Sequence, residues 1–246
     1  MTILIVGATG ATGRWLTKEL LDRGEQVRVI VRAAERLPDA VRGHDKLEVI
    51  TASLLDLSDA ELAQYVQGCG AVASCLGHNM TFQGMFGEPR KLVTDAARRL
   101  CAAVKANAPQ KPVKYVLMNT VGNRNRDLDE RIGFGERLAI GLMWLVLPPQ
   151  RDNEGAADFL RTEIGQDDPL IEWAAVRPDS LIDADAVTAY ALHPSPLKSA
   201  LFGDGQTSRI NVGHFMAALI TEDALWQQWK GQMPVIYNCS DVVSSN

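Results

Sequence analysis

The chain has 246 residues, of which 46% are hydrophobic, and a formal net charge of −5. This length and apolar content exclude a disordered chain and suffice for a compact core. The negative charge argues against nucleic acid as a partner, because proteins that bind the phosphate backbone usually present a basic face. The cysteines form neither a Cys-x-x-Cys pair nor a zinc-ligand spacing, so we expect no metal site and free thiols in a reducing cytoplasm: Cys69, Cys75, Cys101 and Cys239.

The chain opens on an apolar run and contains a second one. No secretory leader is expected, since Met1 and Thr2 lead directly into Ile3–Val6. Residues 138–147 (LAIGLMWLVL) are continuously apolar, but they are about half of the ~20 residues that a spanning helix needs. We expect a buried or substrate-covering helix there rather than a membrane span, and a dimer contact stays open. The sequence leaves monomer and dimer open as well.

Apolar runs that predict strands alternate along the chain with helical patterns. The predicted strands are Ile3–Val6, Val27–Val31, Leu47–Ile50, Ala71–Cys75, Val113–Met118 and Ile171–Val176. The helices are expected over 13–23, after Pro89 with a stripe of Leu92, Ala96, Leu100 and Val104, and from a cap at Asp152 or Asn153 to Gly165. This alternation predicts the α/β class, a Rossmann-type doubly wound parallel sheet.

The pattern becomes irregular after Arg177 and Pro178. Short extended pieces, prolines and a helix near Val212–Ile220 predict a small C-terminal substrate lobe. We therefore expect a single domain over residues 1–246, with a core over about 1–180 and a lobe over about 181–246 that packs against it.

Gly7, Gly10 and Gly13 stand between the first predicted strand and the first predicted helix. In such a turn the first glycine allows the chain to turn sharply, the second lets backbone approach a pyrophosphate, and the third allows close packing of helix on strand. The helix N-terminus then offers free N–H groups to the phosphates. The strand–turn–helix context predicts a dinucleotide site.

The end of the second strand indicates which nucleotide binds. NAD-preferring sites place an acidic residue there for the ribose 2′-hydroxyl. Here Arg32 follows Val31, Arg36 lies four residues on, and the first acid, Glu35, comes too late. Because a guanidinium suits a 2′-phosphate, we expect NADP(H) in preference to NAD(H), with Arg14 as an added contact. The alternative is that Arg32 is a solvated surface charge.

Ligands of such sheets lie outside the carboxyl ends of the strands. After the third strand, Asp56 and Leu57 are candidates for the adenine amino group, and Asp56 is equally a candidate helix cap. The ends of the next two strands are expected beside the nicotinamide ribose: Leu76, Gly77, Asn119 and Thr120.

No tyrosine in the chain has a lysine four residues later. The residues at that spacing from Tyr65, Tyr115, Tyr190 and Tyr237 are Cys69, Asn119, Pro194 and Asp241, and no lysine occurs between Lys114 and Lys198. A Tyr-x-x-x-Lys pair lowers the pKa of the tyrosine and lets it transfer a proton beside a carbonyl. Its absence disfavours ketone chemistry and favours either a conjugated ring as hydride acceptor or no catalysis at all.

Two loops are expected over the nicotinamide. Residues 78–88 carry His78 and an apolar-aromatic set (Met80, Phe82, Met85 and Phe86), and residues 122–135 are charged and glycine-rich. The first loop suits a planar ring, although packing against residues 138–147 explains it equally well. His78 is the best titratable candidate for a proton donor, and its alternative is a solvated loop histidine.

Together the segments GATGATG, VRAAERL, PPQRDNEGAADFLR, EWAAVRP and SRINVGHFMAAL resemble the atypical short-chain dehydrogenase/reductases. The resemblance spans most of the chain and is greatest to the NAD(P)H-binding, NmrA-like branch that includes the biliverdin reductase B / flavin reductase type. It implies a pyrophosphate site in the glycine turn, a 2′-phosphate contact at Arg32, Cys75 to Gly77 beside the ribose, and Thr120 near the nicotinamide. The turn comprises Gly7, Thr9, Gly10, Ala11, Thr12 and Gly13.

The resemblance also implies a backbone wall beside the nicotinamide from Arg177, Pro178, Asp179 and Ser180. Asn153 replaces the active-site histidine of the flavin reductase type, so the substrate preference of that type cannot be assigned directly to this chain. The expected function is an NADPH-dependent reductase of a flavin, quinone or similar planar acceptor, with Thr120, Asn153 and His78 as catalytic candidates. The alternative is a non-catalytic NADP(H)-binding regulator with a protein partner; the missing pair disfavours a sugar-nucleotide epimerase or dehydratase.

Overall fold

The computed structural model describes residues 1–78, 87–128, 130, 135, 141, 148–199 and 203–239. Within these residues ten strands are defined: β1 (Thr2–Val6), β2 (Gln26–Val31), β3 (Leu47–Thr51), β4 (Cys69–Ser74), β5 (Val113–Met118), β6 (Ile171–Pro178), β7 (Ser180–Ile182), β8 (Tyr190–His193), β9 (Gln206–Ser208) and β10 (Val235–Asn238). The α-helices are α1 (Gly13–Asp22), α2 (Asp59–Val66), α3 (Leu92–Ala106), α4 (Pro148–Phe159), α5 (Arg209–Thr221) and α6 (Asp223–Trp229).

The main sheet has the order β3-β2-β1-β4-β5-β6-β10-β8, and β7 and β9 form a separate pair. Every neighbouring pair in the main sheet is parallel except β10 with β8. Strand order reverses between β1 and β4, so a crevice opens at their carboxyl ends. The predicted Rossmann-type α/β sheet is thereby confirmed.

The sheet is buried on both faces along its central strands β1, β4, β5 and β6, which explains why these strands are almost continuously apolar. On one face it packs against α2, α3 and α4, around side chains such as Leu100, Leu160 and Trp173. On the other it packs against α1, α5 and α6, around Leu16 and Phe215 among others. Both layers hold the carboxyl edge of the sheet in a fixed position for a ligand.

The predicted start of α4 is wrong. The helix begins at Pro148, so Asp152 and Asn153 lie within it instead of capping it. The carboxylate of Asp152 accepts hydrogen bonds from the backbone N–H groups of Val93 and Thr94, in the first turn of α3. Asp152 thus caps a helix, but a different one. The predicted end is confirmed: a π-turn over Leu160–Ile164 leads to Gly165, whose φ is +75°.

The C-terminal segment, predicted as a lobe, also extends the main sheet. Strands β8 and β10 add to the β6 edge, while β7 pairs with β9 beside them. The predicted helix near Val212–Ile220 is confirmed as α5, which packs on α1.

Three predicted segments lie wholly or partly outside the described residues. These are the apolar run 138–147, apart from Gly141, most of the loop 78–88, of which His78, Gly87 and Glu88 are described, and residues 129 and 131–134 of the loop 122–135. Among the helices that the structure describes, none is both long and apolar enough to cross a membrane.

Candidate functional site

A cavity of about 490 Å³ lies at the carboxyl ends of β1 to β4. The structure brings many of the predicted nucleotide residues together in its wall: Gly7, Thr9, Gly10, Arg32, Arg36, Asp56, Cys75, Leu76 and Gly77. The wall is completed by Glu88, the last residue of the loop predicted over the nicotinamide, and by Pro89 and Leu92, which the sequence predicted only as helix residues. We call this cavity the nucleotide cleft.

The glycine turn is tightly packed at two of its three glycines. Gly7 has a φ of +81°, and a Cβ there would lie 2.5 Å from the carbonyl oxygen of Cys75. A Cβ at Gly13 would lie 2.1 Å from the carbonyl oxygen of Gly7. At Gly10 the nearest atom to such a Cβ is that same oxygen, at 3.1 Å. The fold therefore requires Gly7 and Gly13, whereas Gly10 mainly keeps the cleft side of the turn open.

The N-terminus of α1 follows this turn. Thr12 is the N-cap residue, but its side chain makes no capping hydrogen bond, and the first turn of α1 contains no acidic residue. The positive end of the helix dipole is therefore left for an anion. Ala11, Thr12 and Gly13 form this helix start without lining the cleft itself.

Arg32 and Arg36 lie at the far end of the cleft, where the 2′-position of a bound adenosine ribose is expected. Both side chains are exposed, and among the described residues neither has an ion pair or a hydrogen bond. Arg14 lies elsewhere: its guanidinium is over the ring of Trp15 and 3.9 Å from Asp183. Two guanidinium groups thus remain at this end of the cleft to bind a phosphate.

Asp56 and Leu57 have separate environments after β3. Asp56 lines the cleft, whereas Leu57 packs against the core and its carbonyl accepts a hydrogen bond from Arg99. The alternative prediction that Asp56 caps the following helix is wrong. Ser58 is that N-cap, in a capping box with Glu61.

At the end of β5 both the nitrogen and the oxygen of the Asn119 amide are hydrogen-bonded within the protein. Its Nδ2 donates to the carbonyl of Asn153 at 3.1 Å, and its Oδ1 accepts from the backbone N–H of Thr120 at 2.8 Å and from the amide of Asn123. The hydroxyl of Thr120 accepts from the backbone N–H of Gly122 at 3.3 Å. The structure therefore brings together Asn119, Thr120 and Asn153, and the side chain of Asn119 holds α4 against the sheet.

His78 follows Gly77 at the end of β4 and reaches the same helix. Its Nε2 lies 2.7 Å from Oδ2 of Asp152, and the two side chains are 5% and 0% exposed. The alternative of a solvated loop histidine is therefore wrong. Burial acts to raise the pKa of Asp152, but hydrogen bonds from His78 and from the backbone of Val93 and Thr94 outweigh it and hold that pKa below its usual value.

Arg177 turns its side chain away from the cleft. Its guanidinium is fully buried, pairs with Glu130 at 2.8 Å, and donates to the carbonyl groups of Met233, Asn123 and Pro194. Neither Arg177 nor Pro178 lines the nucleotide cleft. The buried pair ties residues 123–130, after β5, to β6 and β10.

The tyrosines differ from a tyrosine activated by lysine. Burial raises the pKa of Tyr115 and of Tyr237, and raises the pKa of Tyr190 to about 12. A tyrosine beside a lysine would have a lowered pKa instead. Tyr65 lies on α2 and does not line the cleft.

The strand order, the glycine turn and the cleft at the carboxyl edge define a Rossmann-type nucleotide-binding protein. The sequence profile of the family described as NAD(P)H-binding matches residues 7–223. The chain belongs to this NAD(P)H-binding family, and the predicted resemblance is confirmed at that level.

Curated relatives match over a shorter region. Cinnamoyl-CoA reductase 2 of Arabidopsis thaliana is 28% identical over 129 residues, which are 51% of this chain and 38% of that protein. The matched regions span less than two fifths of the length of the first curated relatives.

Solved structures match almost the whole chain. A short-chain dehydrogenase/reductase of Veillonella parvula in complex with NADP has a TM-score of 0.68 and 17% identity, and the match covers 97% of this chain and 94% of that one. A protein of Streptococcus pneumoniae described as an NADH-flavin reductase has a TM-score of 0.63 and 16% identity (97% and 99%). The anaerobilin reductase ChuY of Escherichia coli O157:H7 has a TM-score of 0.66 and 18% identity (97% and 98%). These likenesses show a shared fold.

Proposed function

We propose that the protein is an NADPH-dependent reductase that transfers hydride to a flavin, a quinone or a similar planar acceptor. The observation that carries the proposal is the nucleotide cleft, which combines an open glycine turn with two guanidinium groups that have no partner among the residues the structure describes. Bound NADPH would supply the hydride, since that chemistry belongs to the cofactor.

The residues of the cleft fit NADP(H) at both phosphate positions. The turn from Gly7 to Gly13, with the N-terminus of α1 behind it, would bind the pyrophosphate. Arg32 and Arg36 would bind the 2′-phosphate, because guanidinium–phosphate hydrogen bonds are charge-assisted and often bidentate. Asp56 would bind the adenine amino group. Cys75, Leu76 and Gly77 would contact the nicotinamide ribose, and Thr120 would lie near the nicotinamide.

The proposed acceptor follows from the proton chemistry that the chain offers. A ketone needs a positioned acid beside its oxygen, and burial raises the pKa of Tyr115, Tyr190 and Tyr237 instead of lowering it as such an acid requires. A flavin or a quinone delocalises the incoming charge over a conjugated ring, so stacking and proximity contribute most of the acceleration. Two neighbours in fold, described as an NADH-flavin reductase and an anaerobilin reductase, support an acceptor of this kind.

The test is NADPH oxidation by the purified protein with FMN, riboflavin and a small quinone, run in parallel with NADH. We expect turnover with NADPH and a lower kcat/KM with NADH. Absence of turnover above buffer with every acceptor would contradict the reductase. If NADPH still bound tightly in that case, the results would favour a non-catalytic NADP(H)-binding regulator. A pull-down of protein partners with and without NADPH would test that function.

A further inference from the structure

Three side-chain amides form a continuous chain of hydrogen bonds after the carboxyl end of β5. The amide nitrogen of Asn119 donates to the carbonyl of Asn153, and that of Asn123 donates to Oδ1 of Asn119. The amide nitrogen of Gln150, in the first turn of α4, donates to Oδ1 of Asn123 at 2.7 Å and to the carbonyl of Gly122 at 3.3 Å. We call the three side chains the amide chain.

The direction of the amide chain fixes how each amide is turned. A carbonyl oxygen accepts and cannot donate, so the group that faces it must be the NH2 end of the next amide. Gln150 faces two such oxygens, and its own Oε1 is therefore turned away from them. Among the described residues Gln150 makes no other hydrogen bond and no donor reaches that oxygen. The amide chain thus ends on a hydrogen-bond acceptor that is available to a ligand.

The hydroxyl of Thr120 lies beside this acceptor. A Cβ at Gly122 would be 3.7 Å from Oγ1 of Thr120 and 3.8 Å from Oε1 of Gln150, so both groups border the space that this glycine leaves open. The hydroxyl accepts from the backbone N–H of Gly122, and among the described residues it donates to none. All three residues are partly exposed, so a ligand can reach them. We call this space, with its hydroxyl donor and its amide acceptor, the Gly122 notch.

The Gly122 notch lies beside the nucleotide cleft. Strands β4 and β5 are parallel neighbours in which Ser74 pairs with Leu117. Three residues further on, the two chains reach Gly77, which lines the cleft, and Thr120, which borders the notch. The notch therefore continues the carboxyl edge of the sheet from the cleft towards β6, and ligands of such sheets lie along this edge. A ring that takes hydride from a nicotinamide bound there has to lie at the same edge.

We propose that Gln150 and Thr120 select the acceptor by binding a ring edge on which a carbonyl stands beside an N–H group, as in a flavin. This inference rests on the proposed function and narrows it. The hydroxyl of Thr120 would donate to the ring carbonyl, and Oε1 of Gln150 would accept from the ring N–H. A quinone offers carbonyl oxygens but no N–H, so it leaves Oε1 without a partner and binds less well. Gln150 is then a specificity-determining residue, and Asn119 and Asn123 are its positioning residues.

The test compares two acceptors that differ by one methyl group, lumiflavin and 3-methyllumiflavin, with a small quinone as the third. The methyl group blocks the ring N–H and leaves the conjugated system unchanged. In the wild type we expect kcat/KM for lumiflavin to exceed that for the methylated ring by about tenfold. Gln150→Leu should lose this preference, with KM for NADPH and turnover of the quinone unchanged. Gln232→Leu is the matched control, because the exposed Gln232 amide donates to the carbonyl of Gln228 outside the cleft, and it should keep the preference.

Gly122→Ala tests the notch with both polar groups intact. The new methyl group would meet those groups at 3.7 Å, an ordinary contact, so the variant should fold, while kcat/KM for lumiflavin should fall by a similar factor. Urea unfolding checks that every variant remains folded. An unchanged kcat/KM in Gly122→Ala would mean that the acceptor does not enter the notch.

The behaviour of Gln150→Leu can contradict the proposal in two further ways. If this variant keeps the preference for lumiflavin, the methylated ring is excluded by shape alone and Oε1 plays no part. If it raises KM for NADPH, or lowers turnover with every acceptor alike, Oε1 binds the carboxamide of the cofactor instead of the acceptor. Either result would overturn the role of Gln150 in acceptor selection.

A binding measurement separates this inference from the reductase activity itself. Quenching of flavin fluorescence gives the affinity of both lumiflavins for the protein in the presence of NADP⁺, without turnover. A preference for lumiflavin that Gln150→Leu removes would support the notch even if no acceptor were reduced, and only the proposed reduction would then fail. Equal affinities and equal turnover of the two lumiflavins would instead leave the reductase in place and contradict the notch.

Discussion

The polar groups at the two ends of the candidate site differ in whether they are already hydrogen-bonded within the protein. At the end formed by the glycine turn and by Arg32 and Arg36, the helix N-terminus has no side-chain cap, and the two guanidinium groups are exposed and have no partner within the described part of the chain. At the end formed by His78, Asp152 and Asn119, the polar side chains are hydrogen-bonded within the protein: His78 pairs with Asp152, and the amide of Asn119 donates to the carbonyl of Asn153. The charges at the glycine-turn end are available to bind a ligand. The hydrogen bonds at the His78 end hold polar side chains in position before a ligand binds.

This contrast predicts that substitutions of paired, buried groups cost stability, whereas substitutions of unpaired groups cost binding. The largest stability effect is expected at Arg177. Arg177→Met leaves the buried Glu130 without its partner, so the free energy of unfolding should fall by about 3–5 kcal/mol. Urea denaturation measures it. The double variant Arg177→Met, Glu130→Leu should recover part of the loss.

An exposed ion pair provides the control for Arg177. Arg126 pairs with Glu154 at the surface, so Arg126→Met should change the free energy of unfolding by less than about 1 kcal/mol. Equal losses in Arg177→Met and Arg126→Met would show that burial of the pair does not matter, and the contrast between the two ends would lose its physical basis.

In the glycine turn, effects on stability and effects on nucleotide binding can be separated by substitutions that are only three positions apart. Gly13→Ala places a Cβ 2.1 Å from the carbonyl oxygen of Gly7, so we expect about 1–3 kcal/mol of destabilisation. Gly10→Ala meets that oxygen at 3.1 Å and should cost less than about 1 kcal/mol of stability, while NADPH affinity should fall at least tenfold because the methyl group enters the pyrophosphate position.

Urea unfolding and titration of the reduced-nicotinamide fluorescence measure the two quantities on the same samples. If Gly10→Ala retains full affinity for NADPH, the pyrophosphate does not lie against this part of the turn. If Gly13→Ala is as stable as the wild type, the helix moves away from β1 without cost, and the packing role of Gly13 is wrong.

The glycine turn could be predicted from the sequence because its residues are consecutive. The position of Gly7, Gly10 and Gly13 between a buried strand and a helix encodes both the turn and its purpose. The partner of His78 could not be predicted in this way, because Asp152 is 74 residues away and the contact depends on how α4 packs on α3. The sequence suggested the right chemistry for Asp152, a carboxylate that accepts helix N–H groups, and assigned it to the wrong helix.

The same reasoning applies to Glu130 and Arg177. A lone glutamate in a charged, glycine-rich segment and an arginine at the end of a strand give no signal of a buried pair, because only tertiary packing excludes water from both. The strand bounds were easier to predict, since β1, β4, β5 and β6 are buried on both faces and their apolar runs end where the chain leaves the sheet.

At the unpaired end, Arg32→Ser should weaken NADPH binding by about tenfold to a hundredfold, which corresponds to about 1.5–3 kcal/mol for a hydrogen bond to a charged group. NADH affinity should change little, because NADH lacks the 2′-phosphate. Lys18→Ser removes the same charge from an exposed pair with Asp22 outside the cleft, and it should leave both affinities unchanged. An equal loss for NADPH and NADH in Arg32→Ser would contradict the role in nucleotide selection.

The pH dependence of stability should reflect the paired end. The pKa of Asp152 is lowered in the folded protein, so its carboxylate stabilises the fold fully above the unfolded pKa of about 3.9. That stabilisation is lost as the pH falls through the folded value. Between pH 7 and pH 3 the wild type should therefore lose more unfolding free energy than Asp152→Asn, as measured by urea midpoints at both pH values. Equal losses would mean that this carboxyl does not titrate differently in the folded state.

The smallest effect is expected at Cys75, where the two ends meet. Its carbonyl lies against Gly7, while its thiol lies 4.0 Å from the sulfur of Met216, and burial raises the pKa of that thiol to about 12. At pH 8 the thiol is therefore protonated, and iodoacetamide should leave Cys75 of the folded protein unmodified in peptide mass spectra, although urea should expose it.

Cys75→Ser should change NADPH affinity by less than about 0.5 kcal/mol. If Cys75 instead reacts quickly and bound NADPH protects it, then its side chain, and not only its backbone, faces the nucleotide. In that case the end of β4 would belong to the ligand-binding end of the site.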